Sequence, residues 1–310
     1  MLKMCKQKEI LQEEKPLVVI RCTVYNHAPF LRKSLDGMVM QKTNFKYIAI
    51  VHDDASTDGS IEIIKEYTEK YPDIIYPIYE TENQYSKGLI PRIMQEACAA
   101  TGAPLIAYCE GDDYWTDPNK LQKQADFMMS HPEYSATWTR CTHHDYERNI
   151  DAEDGCGFLF TEEGVDGVDI TREMFFAHWI TQPLTMMYRT NAYLLDWYPK
   201  YSYYRDMHEI YHLLGMGKGY LFAFNGGVYN KHESGIFGKV DLAEACETGL
   251  HVAKELYMVN KESTSKKFYE EVLQWNIDNA AQIEENRRKL SWELFRLNHN
   301  LKKFVKNMLK

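Results

Sequence analysis

The 310-residue sequence contains no apolar run approaching the roughly 20 residues that cross a bilayer as a helix. It has no C-x-x-C pair among its seven cysteines, which lie scattered along the chain. An odd count without regular spacing argues against a disulfide framework and a thiolate zinc site, and predicts reduced thiols in a cytoplasmic protein. The first fifteen residues, MLKMCKQKEILQEEK, carry charge throughout and lack the apolar core of a secretory signal. No internal repeat or low-complexity tract is present. Positive charge is scarce: 36 Lys and Arg face 45 Asp and Glu, a formal net charge of −9. The scarcity is uneven. Residues 287–310 hold eight Lys or Arg against one Glu, a net +7, which leaves −16 on the rest. So acidic a body is poorly suited to general nucleic-acid binding, whereas the basic tail suits an anionic surface.

What is present is the composition of a folded globule, 45% hydrophobic and 26% charged. The first 110 residues alternate short apolar runs with amphipathic ones. PLVVIRCTVYN (16–26), FKYIAIVHDD (45–54), IIYPIYE (74–80) and PLIAYCE (104–110) read as strands. Helices are expected over 29–41, after Asp58 or Ser60 up to Pro72, and over 86–103, closed by Gly102. This order predicts an α/β fold with a mostly parallel central sheet and helices on both faces. A further helix and a strand are expected over 120–139, and a loop over 147–168. From about 241 onward only helices are expected, serving packing or dimerisation. The expected division is an N-terminal extension (1–15), a main domain (16–238) and a C-terminal helical extension (239–310).

Two of these strands end in carboxylates: YIAIV runs into His52-Asp53-Asp54, and LIAYC into Glu110-Gly111-Asp112-Asp113. Like charges so close repel, and each is costly to desolvate. In an open parallel sheet, ligands bind beyond the carboxyl ends of the strands. A divalent cation there turns the repulsion into attraction, and oxygen ligands suit Mg²⁺ or Mn²⁺. Such an ion commonly accompanies a phosphate, so the expected ligand is a nucleotide diphosphate.

The three blocks PLVVIRCTVYN, YIAIVHDDASTDGS and LIAYCEGDDYWTDPNKL resemble, in order and spacing, the successive signatures of family 2 glycosyltransferases of GT-A fold. The resemblance implies roles for particular residues. Thr23, Tyr25 and Asn26 would contact the nucleotide base and ribose, and Asp54 would bond the base, usually uracil. Asp112 would reach the ribose and the metal, and Asp113 would coordinate Mn²⁺ or Mg²⁺ on the diphosphate. Glu110 stands where many members have Asp. Arg92 lies near a helix cation of the family. Asp206 aligns with the catalytic base, although Arg205 replaces the usual preceding Glu. His232, in VYNKHES, aligns with a late histidine near the metal. Trp179, Gln182 and Pro183 fall in a segment that lines the acceptor pocket.

The implied reaction is inverting transfer of a sugar from a nucleotide sugar, UDP-linked by preference, to a glycan or lipid-linked hydroxyl. No Q-x-x-R-W motif appears, which argues against a processive synthase. Two other readings remain open: a degenerate domain that binds a glycan or partner without catalysis, and a sugar nucleotidyltransferase. The latter lacks its Gly-rich basic loop in TVYNHAPF. In the tail, Leu301, Phe304, Val305, Met308 and Leu309 fall at helical spacing among lysines. That pattern fits a peripheral helix on the inner face of a membrane and equally a helix packed on the body.

Overall fold

The computed structural model describes residues 15–177, 182–192, 200–202, 204–235 and 242–279, with three isolated positions up to 288. The chain divides into two units, 1–232 and 233–310.

The first unit opens with β1 (Val18–Val24), α1 (Ala28–Val39), β2 (Tyr47–Asp53), α2 (Ser60–Lys70), β3 (Ile75–Tyr79), α3 (Ile90–Ala100) and β4 (Leu105–Tyr108). It continues through β5 (Tyr114–Trp115), α4 (Lys120–Ser130), β6 (Tyr134–Asp145), β7 (Ile150–Glu153), β8 (Gly167–Ile170) and α5 (Arg172–Ala177). It ends with β9 (Met187–Arg189), α6 (Asp206–Met216) and β10 (Lys218–Lys231). The ten strands among the described residues join one sheet. Its main path is β3-β2-β1-β4-β9-β6-β10-β5, with β7 on β6 and β8 on β10.

The β3-β2-β1-β4 half is parallel throughout. Strand β9 enters antiparallel between β4 and β6, and β10 returns parallel to β6. β1 and β2 are buried along nearly their whole length, as strands covered on both faces must be. α1 begins with Pro29 in its first turn, where a missing N–H costs nothing, and buries Leu31, Leu35 and Met38. These join Val18, Ile20, Ala49, Val51, Leu105 and Ala107 in the core.

The helix expected over 86–103 is two pieces: a 3-10 turn over Tyr85–Lys87, then α3. Gly88 between them adopts a left-handed φ of 68°, and Pro91 starts the new helix. α2 starts at Ser60 after Gly59 at φ 97°. Asp58 accepts bonds from the Ser60 N–H and hydroxyl and, across the gap, from the Ala28 N–H. The stretch 147–168, expected as a loop, contains β7 and the start of β8, both edge pairings on longer strands.

The second unit contains α7 (Leu242–Asn260) and α8 (Ser263–Asp278), with no strand among its described residues. No described helix is long and apolar enough to cross a membrane. The basic segment 301–310 lies outside the described residues.

Candidate active site

β4 ends at Tyr108, and the chain runs directly into the acid loop. The loop is fastened to β1: the Cys109 N–H donates to the Arg21 carbonyl at 3.1 Å, and the Gly111 N–H to Thr23 at 3.0 Å. A Cβ on Gly111 would lie 2.8 Å from Val24 Cγ2 and 3.2 Å from the Thr23 carbonyl, so this approach needs glycine. On the other side of β1, the Asp54 N–H donates to the Val24 carbonyl at 2.9 Å. Both acidic segments therefore flank the C-terminal end of one strand.

Carboxylate oxygens of Glu110, Asp112 and Asp113 lie within 4.8 Å of one another. Asp113 is buried and accepts the Asn230 N–H at 2.8 Å, while the Asn230 amide donates to the Asp112 carbonyl at 2.5 Å. The Asp112 carboxylate lies 3.1 Å from His232 Nε2 and 3.6 Å from His27 Nε2. Burial pushes the Glu110 carboxyl up to about 8, and Asp112 adds to the shift. Burial and the charges of Asp112 and Glu110 hold Asp113 well above the carboxylate range. Burial also raises Asp112, but His27 and His232 more than offset it, leaving that carboxyl below its ordinary value. An all-oxygen donor set of this width, comparable with the ~4 Å across an octahedral ion, fits Mg²⁺ or Mn²⁺. A divalent ion would relieve the mutual repulsion that adds to burial in raising two of these carboxyls.

The nucleotide candidates fall into two groups. Tyr25 is 49% exposed at the end of β1, and Thr23 is half-buried. Asn26, at φ 56°, receives the Thr57 N–H on its side-chain oxygen and gives its own N–H to Ser56, so it stitches two loops together. Asp54 is buried, and its carboxylate accepts three bonds: from Asn83 Nδ2 at 2.8 Å, Gln84 N at 2.6 Å and Tyr85 N at 3.0 Å. It anchors the 83–85 turn beside the strand end. Arg92 lies exposed on α3 and pairs with Glu96, its neighbour one turn on.

Asp206 is the first residue of α6, and its carboxylate accepts the Met207 N–H at 2.9 Å. It is within electrostatic reach of Glu110, which its charge helps to raise. Burial lifts Asp206 itself to about 6, with the Met207 bond opposing and Glu209 reinforcing. Arg205 takes the cap position, where its N–H donates to His208 Nδ1 at 3.0 Å. Gln182 Nε2 lies 3.5 Å from His143 Nε2, and Pro183 opens a 3-10 turn whose Leu184 carbonyl accepts the Trp115 indole N–H at 2.7 Å. The acid loop and the 183–185 turn are thus joined. Trp179 lies outside the described residues.

Sequence reasoning missed His27, Arg21 and Glu209. A cation inside the apolar run VVIRCTV was the available signal for Arg21, because a charge there demands a buried partner.

Three comparisons bear on this site. The model of the family described as "Glycosyl transferase family 2" matches residues 20–193. An uncharacterised protein of Mycobacterium tuberculosis is 43% identical over 109 residues, 35% of this chain and 30% of its own. The Bacillus subtilis protein EpsE, named as a glycosyltransferase, is 33% identical over 124 residues, covering 40% of this chain and 42% of EpsE. The match to Bacillus subtilis TuaG, named for teichuronic acid biosynthesis, is 31% over 115 residues and covers 37% and 43%. The matched stretches thus span less than half the length of these relatives. Among solved structures, Staphylococcus aureus TarS 1–349 with UDP-GlcNAc superposes with a TM-score of 0.60 at 15% identity, over 84% of this chain and 72% of that one. A mannosyltransferase of Pyrobaculum calidifontis, in complex with GDP-Man and Mn²⁺, gives a TM-score of 0.53 at 16% identity over 91% and 80%. These two likenesses speak to the fold, which is of GT-A type. With more than half its length matched by the family model, the chain belongs to glycosyl transferase family 2.

Proposed function

We propose that this protein is a metal-dependent, inverting glycosyltransferase. It moves a sugar from a UDP-linked donor to a hydroxyl of a glycan or lipid-linked acceptor in surface-polysaccharide synthesis. The observation that carries the reading is the convergence of three carboxylates within 4.8 Å at a strand end, with a fourth, Asp206, in electrostatic reach. Family membership supports the reaction class. The names of EpsE and TuaG support the polysaccharide context, and the TarS complex supports a UDP-sugar.

Asp112 and Asp113, with His232 beside them, would hold Mn²⁺ or Mg²⁺; when bound, the ion supplies positive charge next to a departing diphosphate. Thr23, Tyr25, Asn26 and Asp54 frame the nucleoside, Asp54 by holding the 83–85 turn as a wall of the pocket. Arg92 would have to leave Glu96 to reach the phosphates. Gln182 and Pro183 line the acceptor side; Trp179, assigned there by the sequence, lies outside the described residues. Asp206 takes the acceptor's proton as the hydroxyl oxygen attacks the anomeric carbon. A carboxyl raised to about 6 is a stronger base than an ordinary aspartate and is still mostly ionised at neutral pH. Direct attack from the face opposite the diphosphate inverts the anomeric centre. The catalytic domain runs over 16–238, and the helices beyond it serve packing, dimerisation or contact with the inner face of a membrane.

The test is a thermal-shift panel of UDP, GDP, CMP and dTDP, each with and without Mn²⁺. UDP with Mn²⁺ is expected to stabilise most. Equal shifts with and without the metal would remove the metal-dependent reading, and no shift with any nucleotide would remove the transferase.

A further inference from the structure

We propose that the buried pair of Arg21 and Glu209 is the positioning device of this site. It fixes the first turn of α6 against β1 and so sets where the Asp206 carboxylate stands relative to the acid loop. The proposal rests on the reading of Asp206 as base.

Arg21 lies in the middle of β1 and is 3% exposed, while Glu209, in the first turn of α6, is 1% exposed. Arg21 Nη1 stands 3.6 Å from Glu209 Oε2. The guanidinium also lies 4.5 Å over the ring of Tyr108, the last residue of β4. Glu209 Oε2 accepts the Tyr204 hydroxyl at 2.9 Å, and Tyr188 of β9 lies near enough to oppose the upward push of burial on the Glu209 carboxyl. Three neighbouring strands and the start of α6 therefore meet at one charge pair.

Two features separate a positioning role from mere packing. First, Arg21 acts in both directions. Its backbone carbonyl holds Cys109 at the root of the acid loop, and its side chain holds Glu209. Second, Glu209 follows Asp206 by three residues, which places both on one face of the helix. A shift of the pair therefore moves Asp206. A buried ion pair is weak support for stability, because well-packed apolar residues fill such space at least as favourably. What this pair adds is a charged contact between the middle of β1 and the first turn of α6, with Arg21 Nη1 3.6 Å from Glu209 Oε2. The charges also reach the site itself: Arg21 and Glu209 both act on Glu110, and Glu209 on Asp206.

The titration uses the whole chain, metal-free, with ¹³C-carboxyl-labelled aspartate, the Asp206 signal being the one lost in Asp206→Asn; kcat and KM are measured on the same proteins with Mn²⁺ present. The groups facing Asp206 are Glu209 on α6, Arg205 at its cap, Glu110 on the acid loop and Tyr229 on β10. Glu209→Gln keeps the shape and can still accept the Tyr204 bond. It is expected to move the Asp206 titration to lower pH and to lower kcat by on the order of tenfold to a hundredfold, with the donor KM nearly unchanged. Arg21→Lys keeps the charge but not the fork, and is expected to leave the titration in place while lowering kcat. The double variant Arg21→Met/Glu209→Gln removes both charges and serves if the single variant does not fold. It too is expected to shift the titration and lower kcat. A folded Glu209→Gln protein with an unmoved Asp206 titration and unchanged kcat overturns the proposal. A wild-type protein without transferase activity overturns the reading of function instead, and the titration still decides whether Glu209 governs Asp206.

Discussion

Asp113→Asn should make the metal-free protein more stable and abolish its response to metal. The two effects have one cause. In the wild type, three carboxyl groups lie within 4.8 Å of one another. At an effective dielectric near 20, two full charges at that separation repel by about 3 kcal/mol. Partial protonation reduces what is realised at neutral pH, so the substitution is expected to gain about 1–2 kcal/mol, or roughly 2–4 °C in Tm. Asparagine can still accept the Asn230 N–H, so the local geometry is kept. The pH dependence in EDTA checks the same reasoning. Glu110 binds its proton up to about 8 in the folded chain and only to its ordinary 4.5 when unfolded. Between those values the folded state holds a proton that the unfolded state has shed. Stability is therefore full below about 4.5 and falls as pH rises toward 8, by up to about 1.4 kcal/mol per pH unit. Mn²⁺ should flatten this slope, because the ion replaces the proton, and its stabilising effect should grow with pH. Urea melts from pH 5 to 8, with EDTA and with Mn²⁺, give both quantities. A wild-type slope of zero in EDTA, or an Asp113→Asn protein that still responds to Mn²⁺, would refute the electrostatic account.

Asp206→Asn is expected to lower transfer at least a thousandfold while leaving the Mn²⁺-dependent UDP shift intact, and in the wild type kcat should rise with pH through about 6. Asp54→Ala removes the acceptor for three donors from the 83–85 turn, and should cost about 2–4 kcal/mol in urea melts. It should also speed amide exchange at Gln84 and Tyr85 and weaken UDP binding. Gly111→Ala pushes a methyl into Val24 and the Thr23 carbonyl, so the acid loop must lift from β1. The expected result is a folded protein whose thermal shift with Mn²⁺ is much reduced, measured in the same panel.

The first four strands and the acid loop were legible because their signals are local. Apolar runs of strand length alternate with helical periods, and carboxylates follow directly on Tyr108-Cys109 and Val51-His52. What sequence could not supply was the long-range pairing. Asp54 reads as a ligand contact until its three bonds to residues 83–85 appear, thirty positions on. Glu209 gave no sign of belonging with Arg21, 188 positions earlier, since a Glu in a first helical turn has an ordinary explanation in the helix dipole. β5 and β7 were missed for another reason. They are two and four residues long and owe their extended form to β10 and β6, not to their own propensity.

The placement of the acids on strand ends explains why their repulsion persists. On a mobile loop, three carboxylates would swing apart into water and lose most of their mutual energy. Here the loop is tied to β1 through Cys109 and Gly111, and to β10 through both the backbone and the side chain of Asn230. His232, one residue past the end of β10, then faces Asp112 at 3.1 Å. Retreat is blocked on both sides, so charge must be relieved in place, by protons or by a cation. The rigidity that holds these carboxyls against one another would also hold the site formed for a cation. Asp206 enters on a helix whose Glu209 meets Arg21 of β1 at 3.6 Å, so one strand touches both the acid loop and the helix that carries Asp206.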